Sequence, residues 1–216
     1  MAPIKFISLE GNIAAGKSTM INNIKELYPA YKIIDEPVDL WTSLKNEDGQ
    51  NLLELFYKDK ERWSYTFQYT AFFTRYLASL KAIQAAQADP QIEPIILLTE
   101  RSILTDRNVF ALMLKDQKCM TQIEWDLYMI WYDHFAKDIQ VDAIVYLETN
   151  DASCSARIKH RGRHGEDNIP LDYLESLKGY HEAWISSTSI PVLRLSNNSK
   201  DEIEQLKTCV DSLLNK

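Results

Sequence analysis

The chain alternates short, unbroken apolar runs with longer stretches whose apolar positions recur at helical spacing. The short runs are Ile4 to Leu9, Tyr31 to Ile34, Ile95 to Thr99, Val141 to Leu147 and Pro191 to Leu195. Runs of this length without strict alternation predict strands covered on both faces. Helical patterns are expected at Lys17 to Leu27, about Ser102 to Lys115, Thr121 to Lys137, Ala152 to His160, Leu171 to Ser187 and Lys200 to Leu214. A long aromatic-rich helical stretch runs from about Asn51 to Ala88, with a candidate break near Lys58-Asp59-Lys60. Strands alternating with helices imply an α/β fold, a parallel sheet of about five strands with helices on both faces. Over 216 residues there is no repeat, linker or low-complexity segment, so one domain spanning 1–216 is expected.

The first chemistry lies where the first strand ends. Gly11-Asn12-Ile13-Ala14-Ala15-Gly16-Lys17-Ser18 has the spacing Gly-x4-Gly-Lys-Ser of a P-loop. Its glycines let the backbone curl until consecutive N–H groups point at phosphate oxygens, and the following helix adds its positive end. Lys17 is placed to reach the β- and γ-phosphates, and the Ser18 hydroxyl to ligate Mg²⁺. The loop alone does not choose between a kinase, a GTPase and a motor-type ATPase.

Composition narrows the choice by exclusion. Apolar residues make up 45% and charged residues 25%, as in ordinary soluble proteins. A net charge of -7 argues against a nucleic-acid binder that works by neutralising backbone phosphate, but not against a nucleotide enzyme. Cys119, Cys154 and Cys209 form neither a disulfide framework nor a metal pattern. No apolar run approaches the ~20 residues of a membrane span. The first strand is expected to begin at Ile4, and no signal or transit peptide is expected before it. A soluble, cytoplasmic protein is expected.

Three further groups carry charge into positions that matter. Glu36 follows the second strand, and Glu100-Arg101-Ser102 follows the third. In a parallel sheet ligands collect at these carboxyl ends, where one carboxylate can serve as general base and another hold Mg²⁺. Surface ion pairs are the alternative. Arg157 to His164 is a basic island, readable as a nucleic-acid patch, a solvated helix end or a lid over a triphosphate. Arg157 and Arg161 share a helix face, with Gly162 as the exit. On the aromatic stretch, Gln68, Ala71 and Arg75 share one face. Gln68 offers donor and acceptor to a nucleobase edge, and Asp106 is the nearest candidate anion for Arg75.

Taken together and in order, these motifs resemble the deoxynucleoside kinase family, on its deoxycytidine and deoxyguanosine kinase side. The resemblance covers nearly the whole chain. It rests on Glu10 leading into Gly11 to Thr19, on Glu36-Pro37-Val38 with Trp41, and on Glu61-Arg62-Trp63-Ser64 with Phe67-Gln68. Glu100-Arg101-Ser102 with Asp106-Arg107, Arg157 to Arg163, and Ile169-Pro170-Leu171-Asp172-Tyr173-Leu174 complete it.

By resemblance, Glu36 is the general base on the 5′-hydroxyl, Arg101 orients the reacting groups, and Glu100 holds Mg²⁺ with Ser18. Gln68 pairs with the base among Trp41, Phe67, Ala71 and Phe110. Tyr57 and Glu166 bind the sugar 3′-hydroxyl. Arg157, Arg161 and Arg163, on a lid at about 157–168, join the loop residues Gly11, Asn12, Ala14, Ala15, Gly16, Lys17, Ser18 and Thr19 on the phosphates of ATP. Ser196-Asn197-Asn198 lies against the donor base. A homodimer and inhibition by a deoxynucleoside triphosphate are implied as well.

Two departures stand out: Gly165 where the family often has an acidic residue, and Asp39-Leu40 before Trp41. Asp106 held by Arg75 can accept from the amino group that cytosine, adenine and guanine carry and thymine lacks, so those nucleosides are expected over thymidine. The rival readings are a nucleoside monophosphate kinase and a catalytically idle P-loop module.

Overall fold

The five apolar runs pair side by side in one all-parallel sheet. A computed structural model describes residues 3–89, 94–163, 165–166, 169–196 and 200–214. Its strands are β1 (Ile4–Gly11), β2 (Lys32–Ile34), β3 (Ile95–Glu100), β4 (Ala143–Leu147) and β5 (Val192–Leu195). Their order is β2-β3-β1-β4-β5, with every neighbour parallel. The central strand β1 therefore ends between two neighbours reached by crossovers in opposite directions. That is the switch point at which a parallel sheet opens a crevice.

Alternation along each strand divides two cores. Phe6, Leu97, Ile144 and Tyr146 face one core, and Ile7, Leu9, Ile96, Leu98, Val145 and Leu147 face the other. The second core is closed by α1 (Lys17–Leu27) and α10 (Lys200–Leu214) through Met20, Ile21, Ile24, Ile203, Leu206 and Val210. The first is larger and aromatic. It is built from α3 (Leu52–Lys58), α4 (Lys60–Ala88), α7 (Gln122–Phe135) and α9 (Leu171–Ser187).

The expected break in the long aromatic stretch falls at Asp59. Its backbone leaves helical geometry at φ -146°, and its side chain accepts from the Arg62 N–H at 3.0 Å, starting α4. Asn51 and Glu54 close a reciprocal cap on α3. Two elements depart from expectation. A short helix, α2 (Val38–Ser43), follows Pro37 and carries Trp41; six residues are too few to show a period. The helix expected over Ser102 to Lys115 divides into α5 (Ile103–Thr105), a π-helical turn (Asp106–Ala111) and α6 (Leu112–Asp116). A wider π turn of this kind re-aims side chains and recurs at functional sites. Here it carries Asp106 and Phe110. After α7 comes a 3₁₀ turn (Ala136–Asp138), and α8 (Asp151–Arg161) ends on Gly162 at φ 58°.

Candidate active site

The phosphate loop has the backbone its sequence requires. Gly11 sits at φ 144° and Gly16 at φ 108°, with Ala14 between them at φ 57°. A Cβ on Gly11 would lie 2.9 Å from the Leu147 carbonyl oxygen, so only glycine lets the loop leave β1 against β4. The Asn12 amide donates to the Leu174 carbonyl at 2.9 Å and to Asp151 at 3.2 Å, while its oxygen accepts from the Ile13 N–H. Thr149 Oγ1 and Arg157 Nη1 both donate to the Ala15 carbonyl, at 3.0 and 2.9 Å. Gly11, Asn12 and Ala15 thus form the wall of the loop. Ala14, Gly16, Lys17, Ser18 and Thr19 face the cavity it opens into. Lys17 is buried, with Nζ donating to the carbonyls of Gly11 and Asn12 at 3.2 and 2.9 Å. Burial brings its ammonium down to about 8.

Glu36, expected from sequence as a general base, sits between two arginines. Its Oε1 accepts from Arg101 Nη1 at 2.7 Å and from Arg75 Nη2 at 3.2 Å. Burial works to raise the Glu36 carboxyl, but Arg101, Arg75 and Lys17 outweigh it and hold it at about 2. Arg75 is the hub. Besides Glu36 it donates to Asp106 at 2.9 and 3.3 Å and to the Glu100 carbonyl at 3.1 Å. The Arg75–Asp106 pair is the one expected from sequence; the Arg75–Glu36 contact was not foreseen, because nothing local relates a strand end to a residue 39 positions on. Burial pushes the Asp106 carboxyl up while Arg75 pulls it back.

Ser18 Oγ donates to Glu100 Oε2 at 3.0 Å, and Lys17 Nζ stands 4.0 Å from the same carboxylate. Among the described residues no group of three or more His, Cys, Asp or Glu could hold a metal. A hydroxyl and one carboxylate side by side suit Mg²⁺, which takes one or two protein oxygens and completes its shell with phosphate and water.

The same cavity, about 300 Å³, continues past these groups between aromatic walls. Trp41 meets Phe67 edge-on at 5.4 Å, and Phe67 stacks on Phe56 at 4.6 Å. The Trp41 indole N–H donates to Thr74 Oγ1 at 3.0 Å, fixing the ring. Gln68 is buried, and its Oε1 has no hydrogen-bond partner among the described residues. Ala71, Tyr57 and Phe110 also line the cavity, with the Arg101 guanidinium 5.2 Å from the Phe110 ring. Ile13 and Leu53 line it too. Sequence reasoning named Ile13 only as part of the phosphate loop and missed Leu53, since an apolar residue in a core run carries no chemical signal.

Behind Phe110 lies His181, wholly buried, its ring stacked on Tyr146 at 5.8 Å. Burial takes its pKa from 6.5 to about 3. The native state stays neutral here while the unfolded chain takes up a proton. This stability is therefore full above about pH 6.5 and is lost as pH falls toward 3, at up to about 1.4 kcal/mol per pH unit. Urea unfolding of a His181→Phe variant should lose less stability between pH 7 and 5 than wild type. Equal losses would rule the histidine out as the source.

The arginines of the basic island enter the cavity from α8 and the turn after it. Arg161 and Arg163 pair with Glu166, the latter at 3.1 Å, and Glu166 is itself buried beside the cavity. Residues 164, 167 and 168 of the expected lid, and Asn197-Asn198 of the expected donor-base loop, lie outside the described residues. The departure at Gly165 has a structural reason. It sits at φ 92°, where a Cβ would lie 3.0 Å from Glu54 Cγ and 3.1 Å from Glu54 Cα. Gly165→Glu should push the turn off α3 and carry Glu166 with it. We expect the KM for the nucleoside to rise about tenfold, with kcat at saturation far less changed. A KM equal to wild type would show that the turn tolerates the side chain.

Comparison with known proteins agrees with this geometry. The profile of the deoxynucleoside kinase family matches residues 7–215. The chain is 36% identical to a deoxycytidine kinase of Homo sapiens, with 98% of this chain and 91% of that protein covered. It is 33% identical to deoxycytidine kinase 2 of Gallus gallus, covering 94% of this chain and 86% of that one. To a mitochondrial deoxyguanosine kinase of Xenopus laevis it is 30% identical, with 99% and 88% covered. A family match over almost the full length, on a P-loop sheet whose cavity joins phosphate loop to aromatic pocket, leads to one conclusion: this chain belongs to the deoxynucleoside kinase family.

Proposed function

We propose that this enzyme transfers the γ-phosphate of ATP to the 5′-hydroxyl of a deoxynucleoside, preferring deoxycytidine, deoxyadenosine or deoxyguanosine to thymidine, in nucleotide salvage. One observation carries the reading: a single cavity is lined at once by Lys17 and Ser18, by Glu36 and Arg101, and by Trp41, Gln68 and Asp106. ATP on the loop and a nucleoside between the aromatic walls would meet at Glu36. The 5′-oxygen attacks the γ-phosphorus, the bond to the β-phosphate oxygen breaks, ADP leaves, and the hydroxyl proton passes to Glu36. With its carboxyl held at about 2, Glu36 is a weak base. Proton transfer therefore accompanies attack, as the hydroxyl becomes acidic, rather than preceding it. Arg101 turns Glu36 toward the hydroxyl, and Arg157, Arg161 and Arg163 are the cations for the donor phosphates. Mg²⁺, held by Ser18 and Glu100, would neutralise charge on the transferring phosphates.

Gln68 offers the base a paired donor and acceptor, and Asp106 an acceptor for an exocyclic amino group. Tyr57 and Glu166 are assigned the 3′-hydroxyl. A nucleoside monophosphate acceptor fits less well, because Arg75 and Arg101 are already matched by Glu36 and Asp106. An idle module has no use for Glu36, Glu100 and three cavity-facing arginines together.

The reading takes all 216 residues as one catalytic domain working as a homodimer. Ile123, Leu127, Ile130 and Trp131 expose an apolar face on α7, which a second copy would cover. No helix among the described residues is long and apolar enough to cross a membrane. Cys119 and Cys154 are free thiols, and the compartment assigned is the reducing cytoplasm. The deciding test is a steady-state comparison of the four deoxynucleosides and deoxycytidine monophosphate with ATP and Mg²⁺. Thymidine kcat/KM at or above that of the other three would overturn the base preference. A better rate with the monophosphate would overturn the acceptor.

A further inference from the structure

Glu10 is a charge with no evident use. It is the last residue of β1 before the glycine of the phosphate loop, it is wholly buried, and it points with Phe6 and Ser8 into the larger core. A carboxylate out of water is costly unless it is paired or fully hydrogen-bonded. The buried cations nearby are engaged elsewhere: Lys17 faces Glu100, Arg101 pairs with Glu36, and Arg75 with Glu36 and Asp106. Glu10 is satisfied by donors instead. Oε1 accepts from Ser8 Oγ, from the Ser102 N–H at 3.2 Å and from Ser102 Oγ at 3.0 Å, and Oε2 accepts from Thr105 Oγ1. Three of these four donors belong to the segment that follows β3.

The residue just before that segment is under strain. Arg101 sits at φ 60°, a left-handed conformation that disfavours any side chain. Such a conformation persists only where the surroundings over-determine it. Its N–H donates to the Leu9 carbonyl at 3.0 Å, and its carbonyl accepts from Thr99 Oγ1 at 2.8 Å. The next residue, Ser102, is held by amide and hydroxyl on Glu10. The strained turn is thus gripped on both sides from β1, and its side chain is delivered 2.7 Å from Glu36.

We infer that Glu10 is a positioning residue for phosphoryl transfer, clamping Ser102 and Thr105 so that strained Arg101 holds its guanidinium against Glu36. Only a carboxylate accepts at both oxygens at once. A glutamine keeps one accepting oxygen for Ser102 and offers Thr105 a donor, whereas an apolar residue releases the whole clamp.

The test compares Glu10→Gln, Glu10→Leu and the near-isosteric Thr105→Val in the full chain. It rests on the proposed phosphoryl transfer for its rate readout, and on hydrogen exchange at the Ser102 amide for one that needs no turnover. We expect kcat to fall from wild type through Gln to Leu, by about tenfold or more at Leu. Deoxycytidine affinity, read by tryptophan fluorescence, should stay within about threefold in all of them. Ser102 exchange should quicken in the same order, and Thr105→Val should lose a few-fold in kcat. If Glu10→Leu does not fold, Gln and Thr105→Val carry the comparison. Unchanged kcat and unchanged Ser102 exchange in those two would overturn the clamp, as would kcat losses matched by equal losses of nucleoside affinity. A wild type that phosphorylates no deoxynucleoside would overturn the proposed function alone, while Ser102 exchange would still decide the clamp.

Discussion

Glu36→Gln is expected to lower kcat by about 10²-fold or more, the ordinary consequence of losing a general base. The substitution keeps the volume and one accepting oxygen, so Arg101 at 2.7 Å or Arg75 at 3.2 Å retains a partner. Nucleoside affinity and folding should change little beside the rate. What disappears is the carboxylate that, among the described residues, is hydrogen-bonded to Arg101 and is the proposed acceptor of the hydroxyl proton. Single-turnover phosphorylation, measured beside nucleoside binding, separates the two. A kcat within about threefold of wild type would sink the assigned role. The pH profile gives a second reading. Because the Glu36 carboxyl is held at about 2, it stays ionised through the whole range in which the protein is worked with. An acid limb in kcat near pH 6 would belong to another group and should persist in Glu36→Gln.

The second large effect belongs to the Arg75–Asp106 pair. Both side chains are almost wholly buried, at 3% and 2% exposure, with Nε and Oδ2 2.9 Å apart. Removing one member of a buried pair strands the other, at a typical cost of about 3–5 kcal/mol. Asp106→Leu should fall toward the lower end, since Arg75 keeps Glu36 and the Glu100 carbonyl. Arg75→Leu combined with Asp106→Leu should be milder than the sum of the two singles, because apolar replacement of a whole buried pair is often close to neutral. Urea unfolding of the three variants yields the coupling directly. Additive losses would mean that the two groups do not depend on each other. Activity should move with the same pair: without Asp106, the ratio of deoxycytidine to thymidine kcat/KM should drop by about tenfold or more. An unchanged ratio would place base discrimination elsewhere, with Gln68 the next candidate.

Much of this protein is legible along the chain because much of it is governed by near neighbours. The bounds of α1, α9 and α10 coincide with the apolar periods that predict them. Asp59 divides α3 from α4 where charged residues interrupt the aromatic run, and its side chain caps the second helix. The phosphate loop is the clearest case. Glycine spacing, the preceding strand and the following helix are all local, so its curl is legible in that stretch of sequence, and only the close approach of Gly11 to Leu147 is not.

Elsewhere local rules run out. Helix α2 is too short to have a period, yet it seats Trp41 on Thr74. The π turn looks like ordinary helix in sequence, because one wide turn leaves the apolar pattern intact. Gly165 reads as a lost acid until Glu54 is seen to leave no room for a side chain.

The sequence by itself determined the strands, most helices, the phosphate loop and the inventory of carboxylates, arginines and aromatics from which the site is drawn. Only the tertiary structure decided the pairing. Glu36 with Arg75 and Arg101, and Glu10 with Ser102 and Thr105, follow from which strand ends lie side by side. Hydrogen bonds and ion pairs act over a few ångströms in space. Which distant residues come within that reach is set by the order β2-β3-β1-β4-β5, not by any spacing along the chain.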